Sequence, residues 1–501
     1  MTAFIISTVV AILSVVLSPR LHYSEKQITS TSVDLNKVQI EIRKGGSIMK
    51  GNQEMLEHGS FRSLLVRLSV PSVVIMLVMV VYNMADTYFI GQTGDPDRIA
   101  ALSLCAPIFT VLSGLSTLLG SGGCIVISLA LGSKNRDDIR KCTSFCFLGS
   151  LVIGFLFTGV MLAAMRPICY ALGADSSTYA FTVRYLRVIL PAAPIIMFDN
   201  VFCNIVRSDG SAVVSMIANV LGTVSNIVLD AVFILVLDWD VAGAAAATVI
   251  GNILTCVFLL VYILRKQSFI SLNLRYLDLK SSVCLRSITL GLPLACSTLL
   301  MSISTIISNR RMIRYGSTAL AAQGVAGKIS MLTTMIIMGL CMGLQPVISY
   351  TYGNKNFQRM RAILKQIILT TVIIGTVLSL ACFAARRAII AAFIDNADVI
   401  RNGQIMIIAS LLTGPFYGIY QTCQVYLQST GQAAYATLTS VLDKGVYFLP
   451  ILFILEHFFG MYGIAFTAAV TLMFSTATAL FLSRKAQRRQ GIMAIKAENL
   501  T

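Results

Sequence analysis

The hexapeptides ALGSKN, residues 130–135, and TYGNKN, residues 351–356, close two long apolar runs with the same order of glycine, polar residue, lysine and asparagine. A glycine followed by polar residues is a common way to end a helix, so each copy reads as a helix exit into a short turn. The copies stand about 221 residues apart, and the offset holds on both sides of them. Leu68-Ser69-Val70-Pro71 returns as Leu290-Gly291-Leu292-Pro293, Pro194 as Pro415, and Ser208-Asp209-Gly210 as Ser429-Thr430-Gly431. Self-similarity at a fixed period takes precedence over any local reading, and here it makes the chain two copies of one unit.

Hydrophobic residues form 56% of the chain and charged ones 12%, with a mean hydropathy of +0.80, where a soluble globular chain is about one quarter charged. The chain is therefore a polytopic membrane protein. At about 20 apolar residues per spanning helix, the polar breaks place twelve spans, numbered α1 to α12 in order. They fall near 66–90, 99–131, 142–165, 181–206, 211–237 and 241–264, then near 284–309, 318–350, 362–385, 402–427, 432–455 and 459–483. Six spans per copy is an even number, so both copies enter the membrane in the same orientation and can pack about an axis along its normal. The expected fold is an all-α integral membrane protein, with twelve transmembrane helices in two pseudo-symmetric six-helix bundles. Such two-lobed proteins commonly hold a substrate between the lobes and work by rocking them.

The net charge of +17 does not mark a nucleic-acid partner, because the basic residues are scattered among loops without an interleaved aromatic face. Their distribution reports topology instead. The loops after α2, α6 and α8 carry Lys134, Arg136, Arg140 and Lys141, then Arg265, Lys266, Arg275, Lys280 and Arg286, then Lys355, Arg359, Arg361 and Lys365. The loops after α1, α5 and α11 hold only Arg98. The positive-inside rule then puts both ends of the twelve-helix core in the cytoplasm of a cell-membrane protein. Arg310, Arg311, Arg314, Arg386 and Arg387, after α7 and α9, run against that trend.

The chain divides into residues 1–48, an N-lobe at 49–270, a C-lobe at 271–490 and a cytoplasmic tail at 491–501. Residues 3–17 are apolar but lack a basic flank, and a polar stretch of about thirty residues follows, unlike a secretory signal. A signal anchor or an extra helix is one reading of residues 3–17; the preferred one takes residues 1–48 as upstream sequence translated from too early a start, with Met49 as the native initiator. The twelve cysteines are irregularly spaced, and Cys142 and Cys146 have no His or second Cys pair nearby. They read as packing residues rather than a zinc site.

Ionised carboxylates at the centre of a span cost about 2.5–3.5 kcal/mol on insertion scales, so they face a cavity or a partner. Asp86, Asp199, Asp230 and Asp443 are the clear cases, the last beside Lys444 and read as a mutually neutralising pair. Asp199 has no assigned role. Asp86 precedes Gly91 by five residues, Asp230 precedes Asp238 by eight, and Thr248 follows Asp240 by eight. At 1.5 Å per residue all three lie roughly 8–12 Å below the outer surface. Asn226 is one turn deeper than Asp230 on the same face. Two carboxylates, an amide and a hydroxyl thus converge between α1, α5 and α6, a set of hard oxygens suited to sodium, or to a proton shared by close carboxylates. The plainer alternative is hydrogen bonding that glues helices together.

Asp95-Pro96-Asp97 and Asp238-Trp239-Asp240 have DxD spacing but read as turn and cap residues, with Trp239 at the lipid interface. Gly120-Ser121-Gly122-Gly123 lacks a P-loop lysine and reads as a packing or flexing point of α2. Gly243, Ala247 and Gly251 form a small-residue face for close packing. No nucleotide-binding, HExxH or GxSxG motif occurs, so the chain is expected not to be an enzyme, and uphill transport must draw on an ion gradient.

NMADTYFIGQTG, IAALSLCAPI, ALGSKN, SNIVLDAVFI, VAGAAAATVI and GLQPVISYTYGNKN, in this order, resemble the multidrug and toxic compound extrusion (MATE) family over residues 55–485. The resemblance implies a cofactor-free antiporter that exports amphipathic, mostly cationic drugs and dyes in exchange for sodium ions or protons. It places N-lobe coupling at Asp86, Asn226, Asp230 and Thr248, with Asn200 nearby, and a hinge at Pro71. Another branch of the family uses acidic residues on α7 and α10, which this chain lacks; Tyr417, Tyr420, Gln421 and Gln424 stand there instead, as lining for a substrate cavity. Its partners are expected to be small molecules and membrane lipid, with the chain acting as a monomer. A lipid-linked saccharide flippase of related fold is the rival reading, with Lys328, Lys444 and the arginines after α7 as its cationic groups.

Overall fold

The computed structural model describes residues 54–91, 96–172, 178–265, 270–393 and 397–498. Residues 1–48 with Met49, Asp95, the last residues of the tail and the side chains of Asp86 and Asp97 lie outside the described residues. The described chain is helical, and eleven stretches are long and apolar enough to cross a membrane. The last of them, Ala433–Arg488, contains two spans. Gly460, at φ 58° and ψ −133°, turns the chain between α11 and α12, a backbone conformation that a side chain resists.

α1 runs from Phe61 to Gly91 through a π-helical turn at Leu65–Ser69. α2 is Pro96–Gly132, α3 Arg136–Ala163, and α4 is Tyr179–Ile189 and Ala193–Arg207 around a short 3-10 turn. α5 is Ala212–Asp230 with a π-helical turn at Ala231–Val236, and α6 is Asp240–Leu264. α7 is Ser282–Met312, α8 Ser317–Gly353, α9 Phe357–Phe393, and α10 is Ala397–Leu411 and Thr413–Ser429. α11 starts at Ala433, takes a π-helical turn at Leu442–Val446 and continues from Phe448 towards Gly460, beyond which α12 extends to Glu498.

The duplication is visible in atomic detail. Lys134 and Lys355 both take positive φ, at 59° and 57°. The next residue, Asn135 or Asn356, sends its N–H back to Ala130 O or Thr351 O, at 2.9 Å in each copy. The repeated prolines act alike as well. A proline has no N–H for the carbonyl four residues earlier, and Pro194 and Pro415 so release Leu190 and Leu411. Thr158 of α3 donates to Leu190 O at 2.6 Å, and Ser379 of α9 donates to Leu411 O at 2.8 Å. Each break in α4 and α10 is thus closed by a hydroxyl from the preceding helix.

Within the first half α2 packs on α3 and α4, and α5 on α1 and α6; within the second, α8 packs on α9 and α10, and α7 on α11. Between halves the pairs are α2 with α7, α1 with α8, and α2 with α8. The α2–α7 and α1–α8 contacts are pseudo-equivalents. Glycine makes these approaches possible: a Cβ built on Gly122 would stand 1.8 Å from Ser287 O, and one on Gly291 1.8 Å from Leu118 O. The Gly120-Ser121-Gly122-Gly123 run is therefore a packing site. At the far end of α2 and α8, Gly132 and Gly353 meet in the same way against Tyr350 O and Leu129 O. The two bundles are closed on each other at the end that carries the GSKN and GNKN turns.

Candidate functional site

The α5–α6 pair is drawn together where both helices present glycine. A Cβ on Gly251 would stand 2.7 Å from Gly222 O, and one on Gly222 would strike Thr255 Oγ1. One turn further out this approach brings Asn226 against Thr248, with Asn226 Nδ2 donating to Thr248 Oγ1 at 3.3 Å. Asn226 is 2% exposed, Thr248 5% and Asp230 0%. No donor among the described residues reaches Asn226 Oδ1. Asn252 Nδ2 donates to Thr248 O at 2.7 Å, which holds the α6 turn that carries the threonine.

Asp230 is the last α-helical residue before the π-helical turn at Ala231–Val236. Single π turns inside helices are frequent at functional sites, because they rotate the following side chains out of the helical register. α1 completes the cluster through Tyr82, whose hydroxyl lies 3.4 Å from Thr248 Oγ1. Sequence reasoning passed over this tyrosine, although its position gives the signal: it precedes Asp86 by four residues and so shares its face of α1. Asn226, Thr248 and Tyr82 thus meet where α1, α5 and α6 join, with Asp230 buried on α5 one helical turn from Asn226.

Pro71 is buried directly after the π-helical turn at Leu65–Ser69. It leaves Arg67 O without its helical N–H, and Ser72 Oγ donates to Leu68 O at 2.8 Å. The π-helical turn of α1 thus ends two residues before Pro71, the residue expected to be its hinge.

Asn200 is exposed on α4, and its amide donates to Ile196 O of its own helix at 2.8 Å. Its neighbour Asp199 is the residue turned inward, 7% exposed, and Cys203 Sγ donates to its Oδ1 at 3.4 Å. On α10 the structure engages the expected cavity lining within the bundle. Gln424 Nε2 donates to Ser440 Oγ at 2.5 Å, Thr439 Oγ1 donates to Gln424 Oε1 at 2.6 Å, and Tyr420 OH donates to Thr439 O at 3.5 Å. Gln421 is 5% exposed, and Tyr417 packs against Tyr420 with ring centroids 6.5 Å apart. Gln424 and Tyr420 thus pair α10 with α11. Asp443 pairs with Lys444 at 2.9 Å inside the π-helical turn of α11, as a neutralising pair should.

Asp240 departs from its reading as a cap. The N-cap position of α6 is Trp239, without a side-chain bond, and the Asp240 carboxylate takes Arg98 Nε of α2 at 3.2 Å and Arg184 Nη1 of α4 at 3.7 Å. Its φ of 57° turns it back over the bundle. Asp240→Asn keeps a residue that tolerates positive φ and removes the charge. It is expected to lower the stability of the purified protein by up to about 1 kcal/mol, the upper end for ion pairs whose cations are partly exposed, whereas Asp238→Asn leaves it nearly unchanged. Thermal unfolding in detergent checks this, and equal midpoints for both variants would show that the two arginines are content in solvent.

The comparisons with known proteins agree with this architecture. The MatE family profile matches residues 71–232 and again 293–454, once in each half. Multidrug export protein MepA of Staphylococcus saprophyticus is 33% identical over 402 residues, 80% of this chain and 89% of its own length. Its namesake from Staphylococcus aureus is 29% identical over 403 residues, with 80% and 89% covered. An outward-facing multidrug resistance MATE family transporter of the MOP superfamily shares the fold, with a TM-score of 0.81 at 24% identity over 91% of this chain and 99% of that one. A MATE crystal structure in the bent conformation gives 0.80 at 25% identity, over 91% and 99%. With a duplicated profile match and relatives that extend across most of its length, the chain belongs to the MatE family of membrane transporters.

Proposed function

We propose that the chain is a secondary antiporter that exports amphipathic, mostly cationic compounds in exchange for sodium ions or protons, with its coupling site in an N-lobe of residues 49–270. The observation that carries this reading is the fully buried Asp230 at the junction of α1, α5 and α6, beside the Asn226–Thr248 bond. A carboxylate kept there needs a cationic or protonic companion, and Asp86 is placed by sequence on the facing helix. Drug and coupling ion compete for these carboxylates. Ion entry from outside neutralises them, loosens the drug and favours its outward release. Each ligand shifts the lobes only by the difference in its affinity for their two arrangements. The multidrug export of the MepA relatives supports the substrate class, and the lysine and arginine count supports a cytoplasmic GSKN–GNKN end; on that reading the closed side is the inner one and the arrangement is outward-facing.

The C-lobe, residues 271–490, is read as taking part in substrate enclosure without coupling of its own, since Asp443 already has Lys444. The flippase alternative loses ground on charge. Arg311 is engaged by Glu456, Nε to Oε2 at 2.6 Å, and lies 5.2 Å from the centre of the Phe453 ring, an arrangement ill suited to receiving a pyrophosphate.

Ethidium efflux from cells expressing the full chain tests the proposal, with sodium and pH gradients collapsed separately. Collapse of one gradient is expected to stop efflux, and that gradient names the coupling ion. Efflux that survives the loss of both overturns the antiporter reading.

A further inference from the structure

The segments that lead into α1 and α7 are pseudo-equivalent, and each is held on the cytoplasmic-turn end of the molecule by helices other than its own. Residues 54–58 form a helical turn ahead of α1. Leu56 is fully buried and Met55 nearly so, in one apolar cluster with Leu64, Leu68, Met360 and Leu364. Arg359, at the start of α9, donates through Nη2 to Gly59 O at 2.7 Å and Leu56 O at 3.4 Å. Tyr350 of α8 donates to Glu57 Oε2 at 3.2 Å. The segment before the first helix of the first half is thus gripped by the second half.

The segment before α7 shows the same relation, reversed. Lys141, near the start of α3, pairs with Asp278 at 3.0 Å. Ser144 Oγ donates to Asn273 O at 2.8 Å, and Thr143 Oγ1 accepts from Ser271 N at 3.4 Å. Arg140 lies over Tyr276, 5.0 Å from the ring centre. The start of α3 is the copy of the start of α9. The segment before the first helix of the second half is therefore gripped by the first.

We infer that these two segments are crossed straps that hold the cytoplasmic seam closed. Each ties the inner end of a first helix, α1 or α7, to the opposite bundle. Separation of the bundles at the Gly132–Gly353 contact pulls residues 54–60 away from Arg359 and the α7 entrance away from Lys141, unless the grips release first. Arg359 is the principal grip of the first strap, because its Nη2 alone reaches two main-chain carbonyls of that segment. The π-helical turn at Leu65–Ser69, directly above that strap, gives α1 a place to yield.

The inference rests on reading the seam as a gate, and hydrogen–deuterium exchange of the full chain in detergent or nanodiscs reads it without reference to drug export. The peptides compared are the straps, residues 54–64 and 270–282, and the seam, residues 129–135 and 350–356, in wild type, Arg359→Gln, Asp278→Asn and the double variant. Loss of a charge-assisted grip is expected to speed exchange by about tenfold in the affected strap and to speed it in the seam too, with the double variant opening the seam further. Peptides of α4 and α6 should keep wild-type exchange, which separates gate opening from misfolding. Straps that loosen over an unchanged seam, or variants that leave both unchanged, overturn the inference.

Discussion

Asp230→Asn is expected to reduce dye export by about a hundredfold or more at matched membrane abundance, while the protein still folds and inserts. Two roles of Asp230 make very different predictions. As helix glue, the residue contributes a hydrogen bond within the membrane, worth about 0.6 kcal/mol on average and at most about 1.7, and asparagine replaces much of it. As the anion that binds a coupling cation or proton, it acts in a site from which water is excluded, since Asp230 is 0% exposed. Loss of about 3 kcal/mol of such an interaction is about two powers of ten in affinity. The gap between the two roles exceeds ordinary assay scatter. Tyr82→Phe removes the contact with Thr248 Oγ1 at 3.4 Å and should cost severalfold. Near-normal export by Asp230→Asn would assign the residue to helix packing and leave the coupling site to be sought elsewhere.

The fold was legible in the sequence because duplication and hydropathy are carried by composition and spacing, which survive without tertiary knowledge. The lysine at positive φ followed by an asparagine that bonds back is written into GSKN and GNKN alike. The site was legible to the depth of one helical turn, since Asn226 and Asp230 share a face by spacing alone. What escaped the sequence depends on rotation about helix axes. The π-helical turns after Asp230 and around Asp443 have no residue signature, because they arise from packing and from hydroxyls such as Ser304, which donates to Lys444 O at 2.5 Å. On α4 one residue of rotation, about 100°, distinguishes exposed Asn200 from buried Asp199. On α10 the sequence offers Gln424 as a polar lining residue, and it does not show that Ser440 and Thr439 of α11 bond it. A partner's position is a tertiary fact, and no spacing rule within one helix supplies it. Asp240 escaped for the same reason, since Arg98 and Arg184 approach it from two other helices.

The second large effect is expected at the crossing of α2 and α7. Gly122→Ala places a methyl group where 1.8 Å separates it from Ser287 O, and Gly291→Ala does the same against Leu118 O. Both neighbours are main-chain atoms, so no rotamer change relieves the clash, and real Cβ contacts essentially never fall under 3.0 Å. The helices must part by more than an ångström or bend. Overpacking of this kind costs about 1–3 kcal/mol, and here the cost falls on the arrangement described, in which the two backbones touch. A shift of that size changes the ratio of the two lobe arrangements by about five- to a hundredfold. Export by either variant is therefore expected to drop at least about fivefold while the protein remains inserted, and Gly159→Ala, which meets nothing within 4 Å, should export normally. The double variant should fall short of the sum of its parts. A Cβ on Gly122 also lies 3.0 Å from Gly291 N, so the separation forced by the first methyl already makes room for the second, and neighbouring substitutions that share one displacement are not additive. Full additivity would mean that the two glycines act in separate contacts, and unimpaired export by both single variants would show that the transport cycle never brings α2 and α7 this close.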